Sequence, residues 1–192
     1  MEIRTLVTKN RSYRRFDEDF QIDGETLREL IYLAQHSPSA RNRQPLKFWL
    51  SNTVETNNLI FPQLGWAGDL KDWPGPAQGE RPSAYILILG DMAIKDNFGI
   101  DHGIAAQSIL LGAVAAGLGG CMLGSARVNE LAKALDIPER YQILLVIALG
   151  KPVEEVVVEI VGEGADLTYY RDEKDVHHVP KRGLEELILR DV

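Results

Sequence analysis

Residues 98–123 read FGIDHGIAAQSILLGAVAAGLGGCML, and the order of features in this stretch decides the architecture. Apolar side chains run almost unbroken from Ile104 to Leu118, which predicts a buried helix over about Phe98–Ala116. Gly117 and Gly119 then stop it, because glycine readily adopts the left-handed backbone that closes a helix. Gly120 to Leu123 resumes as a short strand. The glycines therefore follow a helix. A dinucleotide fingerprint requires a strand feeding glycines that open a helix, and it requires glycine where Met122 stands. The apolar run is too short to span a bilayer, and Gln107, Ser108 and nearby glycines interrupt it.

Outward from this stretch, helices and strands mix without a βαβ rhythm. Ile3 to Thr8 opens as a short helix. Asp23 is placed to cap a helix carrying Leu27, Leu30, Ile31 and Ala34, which Pro38 ends. Leu46–Ser51 is a strand, Thr53–Leu64 a helix, and Ala84–Leu89 and Ile143–Leu149 are strongly apolar strands. Arg127–Leu135 is a further helix, with Ser125 a candidate cap. Val153–Val161 is extended and half polar. Tyr169–Arg182 reads as irregular, and Gly183–Leu189 as a short terminal helix. Between Gly65 and Pro82 three prolines and four glycines accompany Trp66, Lys71 and Trp73. That composition makes a long loop, and long loops in compact domains are usually functional or mobile. Trp66 and Trp73 could form an aromatic lid over a planar molecule, with Lys71 a candidate contact; pinning of the loop to the surface is the plainer role. No repeat or linker divides the chain. The expectation is one α+β domain over residues 1–192.

Composition bounds the function. The 192 residues are 45% hydrophobic and 26% charged, with a formal net charge of −7. Such a chain has material for a core and repels phosphate backbones and anionic lipids, so nucleic acid and membrane partners are disfavoured. One cysteine, Cys121, excludes an internal disulfide and Cys-rich zinc sites. It fits a reducing compartment, and the expected location is cytoplasmic. A buried, inert thiol is the expected state of Cys121. His177-His178 on a loop is a poor chelate, and metal binding is not expected. Phosphate-loop, GxSxG and HExxH motifs are missing from the sequence.

Four segments carry chemistry. Arg11-Ser12-Tyr13-Arg14-Arg15 puts three arginines and a hydroxyl in five residues. That set suits a phosphate, or else a basic turn paired with Asp17, Glu18 and Asp19. Ser37-Pro38-Ser39-Ala40-Arg41-Asn42-Arg43-Gln44-Pro45 brackets small and amide residues between prolines. It can face a planar heterocycle, or it is a helix-to-strand turn. Gly117 to Ser125 is small enough to bring backbone N–H groups close to a ligand, or to pack a helix on a strand. Pro180-Lys181-Arg182 adds two cations, for a phosphate or for the surface.

Together, in this order, these segments resemble the nitroreductase family of FMN enzymes over essentially the whole chain. Asn10 to Phe16, Pro38 to Pro45, Asp101 to Gln107, Gly117 to Cys121 and Pro180 to Arg182 carry the resemblance. The family's first motif often begins Arg-Arg-Ser; here Asn10 stands at the first arginine. The resemblance implies an α+β fold with a central, mostly antiparallel sheet flanked by helices. It implies an interlocked homodimer with FMN at the interface. Arg11, Ser12, Arg14, Lys181 and Arg182 would hold phosphate or ribityl. Pro38, Ser39, Ala40 and Asn42 would reach the flavin from the other subunit, and Leu123, Gly124 and Ser125 would lie near its N5 and O4. NADH or NADPH would reduce the flavin, and a small planar acceptor such as a nitroaromatic or quinone would reoxidise it in a ping-pong cycle. No side chain need act as acid or base in the hydride step. The alternative is a protein that sequesters, senses or consumes FMN.

Overall fold

The computed structural model describes residues 1–191. The chain divides into two compact units, one formed by Met1–Trp66 with Gly75–Val153, the other by Ala67–Pro74 with the chain from Glu154 onward.

The first unit is built on strand β3 (Ala84–Asp91), whose eight residues are all buried. On one side β3 pairs with β2 (Leu46–Ser51), and on the other with the long β5 (Tyr141–Pro152), both antiparallel. The remaining edge of β5 is shared by two short strands. β4 (Gly119–Leu123) covers residues 146–150, and β1 (Phe16–Asp17) covers residues 151–152. Every pairing in this sheet is antiparallel, and helices flank it, as the α+β resemblance implies.

Period-two alternation sends Ala84, Ile86 and Ile88 to one face. There they pack with Leu27, Leu30 and Ala34 of α2 (Gly24–Gln35) and Ala105, Ala106, Ile109, Leu110 and Ala113 of α4 (Asp101–Ala115). Asp23 caps α2 as expected, its carboxylate accepting from Thr26 N–H at 2.6 Å, a bond that holds the acid below the usual carboxylate range. On the opposite face lie Tyr85 and Leu87. Asn57 of α3 (Val54–Ile60) crosses that face, accepting from Ser51 and donating to the Ser83 carbonyl. α5 (Val128–Ala134) brings the fully buried Leu131. The first helix, α1 (Ile3–Lys9), has no buried residue.

Three local readings are corrected. α4 begins at Asp101, not Phe98. Asn97 accepts from Gly99 N–H, Gly99 has φ +55°, and the Phe98 ring lies over Gly90, so this segment is a plug before the helix. Ser125 does not cap α5. Its carbonyl accepts from Gly65 N–H at 2.6 Å and Arg127 N–H reaches Gln63 O, so residues 124–126 stay extended beside residues 63–65. Tyr169–Arg182 is not wholly irregular. It contains β7 (Tyr170–Arg171) and β8 (His177–Arg182), and β8 pairs in parallel with β6 (Val156–Val161). Half-polar alternation hid these strands, because their apolar faces are short.

The second unit is this three-stranded sheet, the short α6 (Leu184–Leu187) and the excursion Ala67–Pro74. Trp73 lies under the Arg171 guanidinium at 4.3 Å, Arg171 pairs with the buried Glu154 carboxylate at 3.0 Å, and Tyr169 accepts from Asp69 N–H at 3.2 Å. No helix among the described residues is long and apolar enough to cross a membrane.

Candidate functional site

The basic segment after α1 does not float on the surface. Ser12 forms a parallel bridge with Gly120, and Tyr13 N–H donates to Gly120 O at 3.0 Å. Two glycines make this approach possible. A Cβ on Gly119 would stand 2.5 Å from the Tyr13 ring, and one on Gly120 would stand 2.6 Å from Ala148 O. The close approach at Gly119 and Gly120 is thus filled by the chain's own residues. Gly124, by contrast, has nothing within 4 Å of a built Cβ. The open point of this glycine-rich segment is Gly124; Leu123 is buried and paired with Val146, and the Ser125 carbonyl accepts from Gly65 N–H.

Within the basic segment the arginines differ. Arg15 is committed, its guanidinium forking onto Glu80 at 2.9 and 2.5 Å. Arg11 donates Nη2 to Val7 O at 2.9 Å, while its Nε is buried with no partner among the described residues. Arg14 donates to Ser12 O at 3.2 Å. Ser12 is exposed. An orphaned guanidinium donor beside an exposed hydroxyl is the donor set that a phosphate oxygen would satisfy.

The Pro38–Pro45 segment is tied to a different place. Ser39 Oγ donates to Asp101 Oδ2 at 2.7 Å, and Ala40 N–H donates to Asp101 Oδ1 at 3.2 Å, at the first turn of α4. A single 3-10 turn, Ala40–Asn42, follows, with the Asn42 side chain exposed. Beneath it lies a cavity of about 300 Å³ lined by Ile31, Ser37, Ser39, Phe48, Asp101 and Ala105 among others. Sequence reasoning quoted Asp101 within a motif but gave it no role; the signal was an acid opening an otherwise apolar helix.

Sheet register sets the distance between these two groups. The Pro38–Pro45 loop leads into Leu46, which lies opposite Gly90, itself opposite Gln142 on β5. Ser12 is bridged to Gly120, opposite Leu149. Residues 142 and 149 lie about 20 Å apart at roughly 3.3 Å per residue, and the strands involved are at opposite edges of the sheet. One chain therefore brings Arg11, Ser12 and Arg14 together with the strand carrying Leu123, Gly124 and Ser125, about 10 Å further along β4. It does not bring Pro38, Ser39, Ala40 and Asn42 to Arg11, Ser12 and Arg14, and β5 and β3 lie between that loop and Leu123.

In the second unit, Lys181 and Arg182 end β8, opposite Ile160 and Val161 of β6. Lys181 is exposed, and Arg182 pairs with Glu186. Nearby on β8, His178 is clamped between Glu159 (2.7 Å) and Asp172 (3.3 Å) and stacked on Tyr170. The hydrogen bond to Glu159 and then that to Asp172 hold His178 above the ordinary histidine range. Trp66 is buried in the first unit against Phe61 and Gly75, so it does not form a lid; Trp73 lies under Arg171, and Lys71 is exposed. Cys121 is buried, as expected.

Comparison with known proteins fits this picture. Residues 7–74 and 83–151 match the sequence model described as "Nitroreductase family". A Bacillus subtilis (strain 168) protein named "Putative NAD(P)H nitroreductase YodC" is 24% identical over 176 residues, covering 74% of this chain and 86% of its own. Among solved structures, a nitroreductase family protein from Clostridium novyi NT is 25% identical with a TM-score of 0.66, covering 79% of this chain and 87% of its own. An FMN-dependent nitroreductase from Clostridium difficile R20291 shares the fold at 23% identity and a TM-score of 0.65, with 78% and 87% covered.

Proposed function

We propose that this chain, which belongs to the nitroreductase family, works as a homodimer that passes electrons from NAD(P)H to a small planar oxidised acceptor, a nitroaromatic or quinone, in a ping-pong cycle. It is an FMN-dependent oxidoreductase of nitroreductase type. When bound, FMN supplies the hydride acceptance and onward electron transfer; the protein supplies binding, orientation and electrostatics.

The observation that carries the reading is the joining of Arg11, Ser12 and Arg14 to β4. It sets an anion-binding donor group beside β4 and the open backbone of Gly124 just past the end of that strand. Arg11, Ser12 and Arg14 hold the phosphate end; for Lys181 and Arg182 a phosphate role rests on the family resemblance alone. Backbone N–H groups at 123–125 face the reactive edge of the ring, where charge builds on reduction. Pro38, Ser39, Ala40 and Asn42 are about 20 Å along the sheet from Arg11, Ser12 and Arg14 in the same chain and serve the site of a second copy. The outward side of α4 supports that second copy. Ile100, just before α4, is 74% exposed, and Gly103, Ile104, Gln107 and Leu111 continue a largely apolar face on a helix apolar all round.

The test is the visible spectrum of the purified protein before and after anaerobic NADH and NADPH. Flavin bands that bleach with one nucleotide and return with a quinone or nitroaromatic are expected. Bands that neither nucleotide bleaches would refute the reductase and favour a protein that sequesters or senses FMN. Protein that stays colourless after incubation with FMN would overturn the flavin assignment.

A further inference from the structure

We infer that Asp101 is a positioning residue, a buried carboxylate that holds the Ser39–Gln44 loop in a strained shape and so sets where Asn42 stands against the flavin of a second copy. The inference rests on the flavin reading above and adds to it the group that shapes half of the site.

The loop is unusual in its backbone. Arg41, Asn42 and Gln44 have φ of +55°, +53° and +50°. Side-chain-bearing residues seldom adopt this left-handed region, asparagine least reluctantly. Three such residues in four positions do not persist unless the surroundings over-determine them. The local hydrogen bonds are few: Asn42 N–H to Ser39 O, Arg43 N–H to Ala40 O, and the Gln44 side chain to Asn42 O.

Asp101 supplies the rest. It is 3% exposed and forms no ion pair among the described residues. Its two oxygens accept from Ser39 Oγ–H and Ala40 N–H, which fixes the start of the loop. The same Ser39 hydroxyl accepts Gln44 N–H at 2.9 Å, which fixes its end. One carboxylate thus closes both ends of the left-handed run through a single serine. Its place in the first turn of α4 favours the negative charge. A buried charge compensated only by hydrogen bonds enforces geometry, because each bond lost leaves a costly unsatisfied group.

The test starts from wild-type protein whose FMN affinity and flavin absorption bands have been measured. Asp101→Asn keeps the size and removes the charge and one acceptor. Amide exchange at Ala40 and Gln44 is expected to quicken at least ten-fold, FMN affinity to fall about ten-fold, and the flavin bands to shift. Adding Arg41→Gly, which relieves one left-handed position, should recover most of the affinity. A role limited to helix stability would not be relieved by a glycine in the loop. Wild-type exchange, affinity and bands in Asp101→Asn would overturn the inference, as would a loss of affinity that Arg41→Gly leaves untouched. If wild-type protein binds no FMN, the flavin reading fails first. In that case fast exchange at Ala40 and Gln44 in Asp101→Asn upholds the hold on the loop, and unchanged exchange overturns it.

Discussion

Replacing Gly120 by alanine probes the joint on which the site depends. The new Cβ would stand 2.6 Å from Ala148 O, 2.7 Å from Leu110 Cδ2 and 2.9 Å from Leu149 Cδ2. The two leucine methyls can rotate, but the carbonyl belongs to β5 and cannot. Relief requires β4 to move away from β5 by roughly 0.7 Å, since carbon and oxygen rarely approach closer than about 3.3 Å without an intervening hydrogen bond. Overpacking of this kind costs about 1–3 kcal/mol. Stiffening of the unfolded chain by alanine offsets about 0.4–1 kcal/mol. The net loss is about 1.3 kcal/mol, or roughly 3–5 °C in Tm for a chain of this size. The displacement also carries Gly120 O away from Tyr13 N–H, so FMN affinity should fall with stability. Urea unfolding with an unchanged slope, together with an FMN titration, reads both effects. Gly24→Ala, at an open helical position with nothing within 4 Å, is the comparison and should be neutral or slightly stabilising. If Gly120→Ala behaves like Gly24→Ala, the close packing of β4 on β5 is wrong, and with it the argument that this joint aims the arginines.

Other consequences are open to measurement. His178 should titrate above 6.5 by NMR, and Glu159→Gln should lower that value; a midpoint at or below 6.5 would contradict the clamp. Because the folded-state value is raised, the stability His178 contributes is complete below pH 6.5 and fades as pH rises through the raised value. Ile100→Asp should split a sedimenting dimer, and a wild-type monomer would refute the second-copy reading of α4. Saturating FMN, at one hundred times its Kd, should add about 2.7 kcal/mol, or roughly 5–10 °C in Tm; no shift would exclude a native flavin site.

Much of this was legible in the residues. The apolar run from Ile104 and the glycine near its end, Gly117, marked a helix and its stop, and Gly117 indeed has φ +75° with Leu118 N–H closing onto Ala113 O. Leu46–Ser51 matched its strand, with Lys47 as its exposed residue and Phe48, Trp49 and Leu50 all partly covered. What sequence could not supply were partnerships across the chain. Nothing near Arg15 points to Glu80, sixty-five positions away. Nothing near Ser39 points to Asp101. The alternation in β6 and β8 is too short to announce a parallel pair. Gly119 and Gly120 invited a ligand reading because a glycine shows only that something comes close, not what.

The complete burial of β3 has a further consequence before folding is finished. Its segment AYILILGD carries one charge, at the last residue, and neither proline nor a basic side chain. Such a stretch, if displayed, pairs readily with its like in other chains. Arg81 and Pro82 stand just before it and Asp91 closes it, in the manner of gatekeepers that discourage stacking. Both neighbours that hide β3 are non-local, with β5 some fifty residues downstream. The interval between synthesis of β3 and arrival of β5 is therefore when this protein is most exposed to aggregation. Variants that weaken β5 should be lost as insoluble protein before they are lost as inactive enzyme.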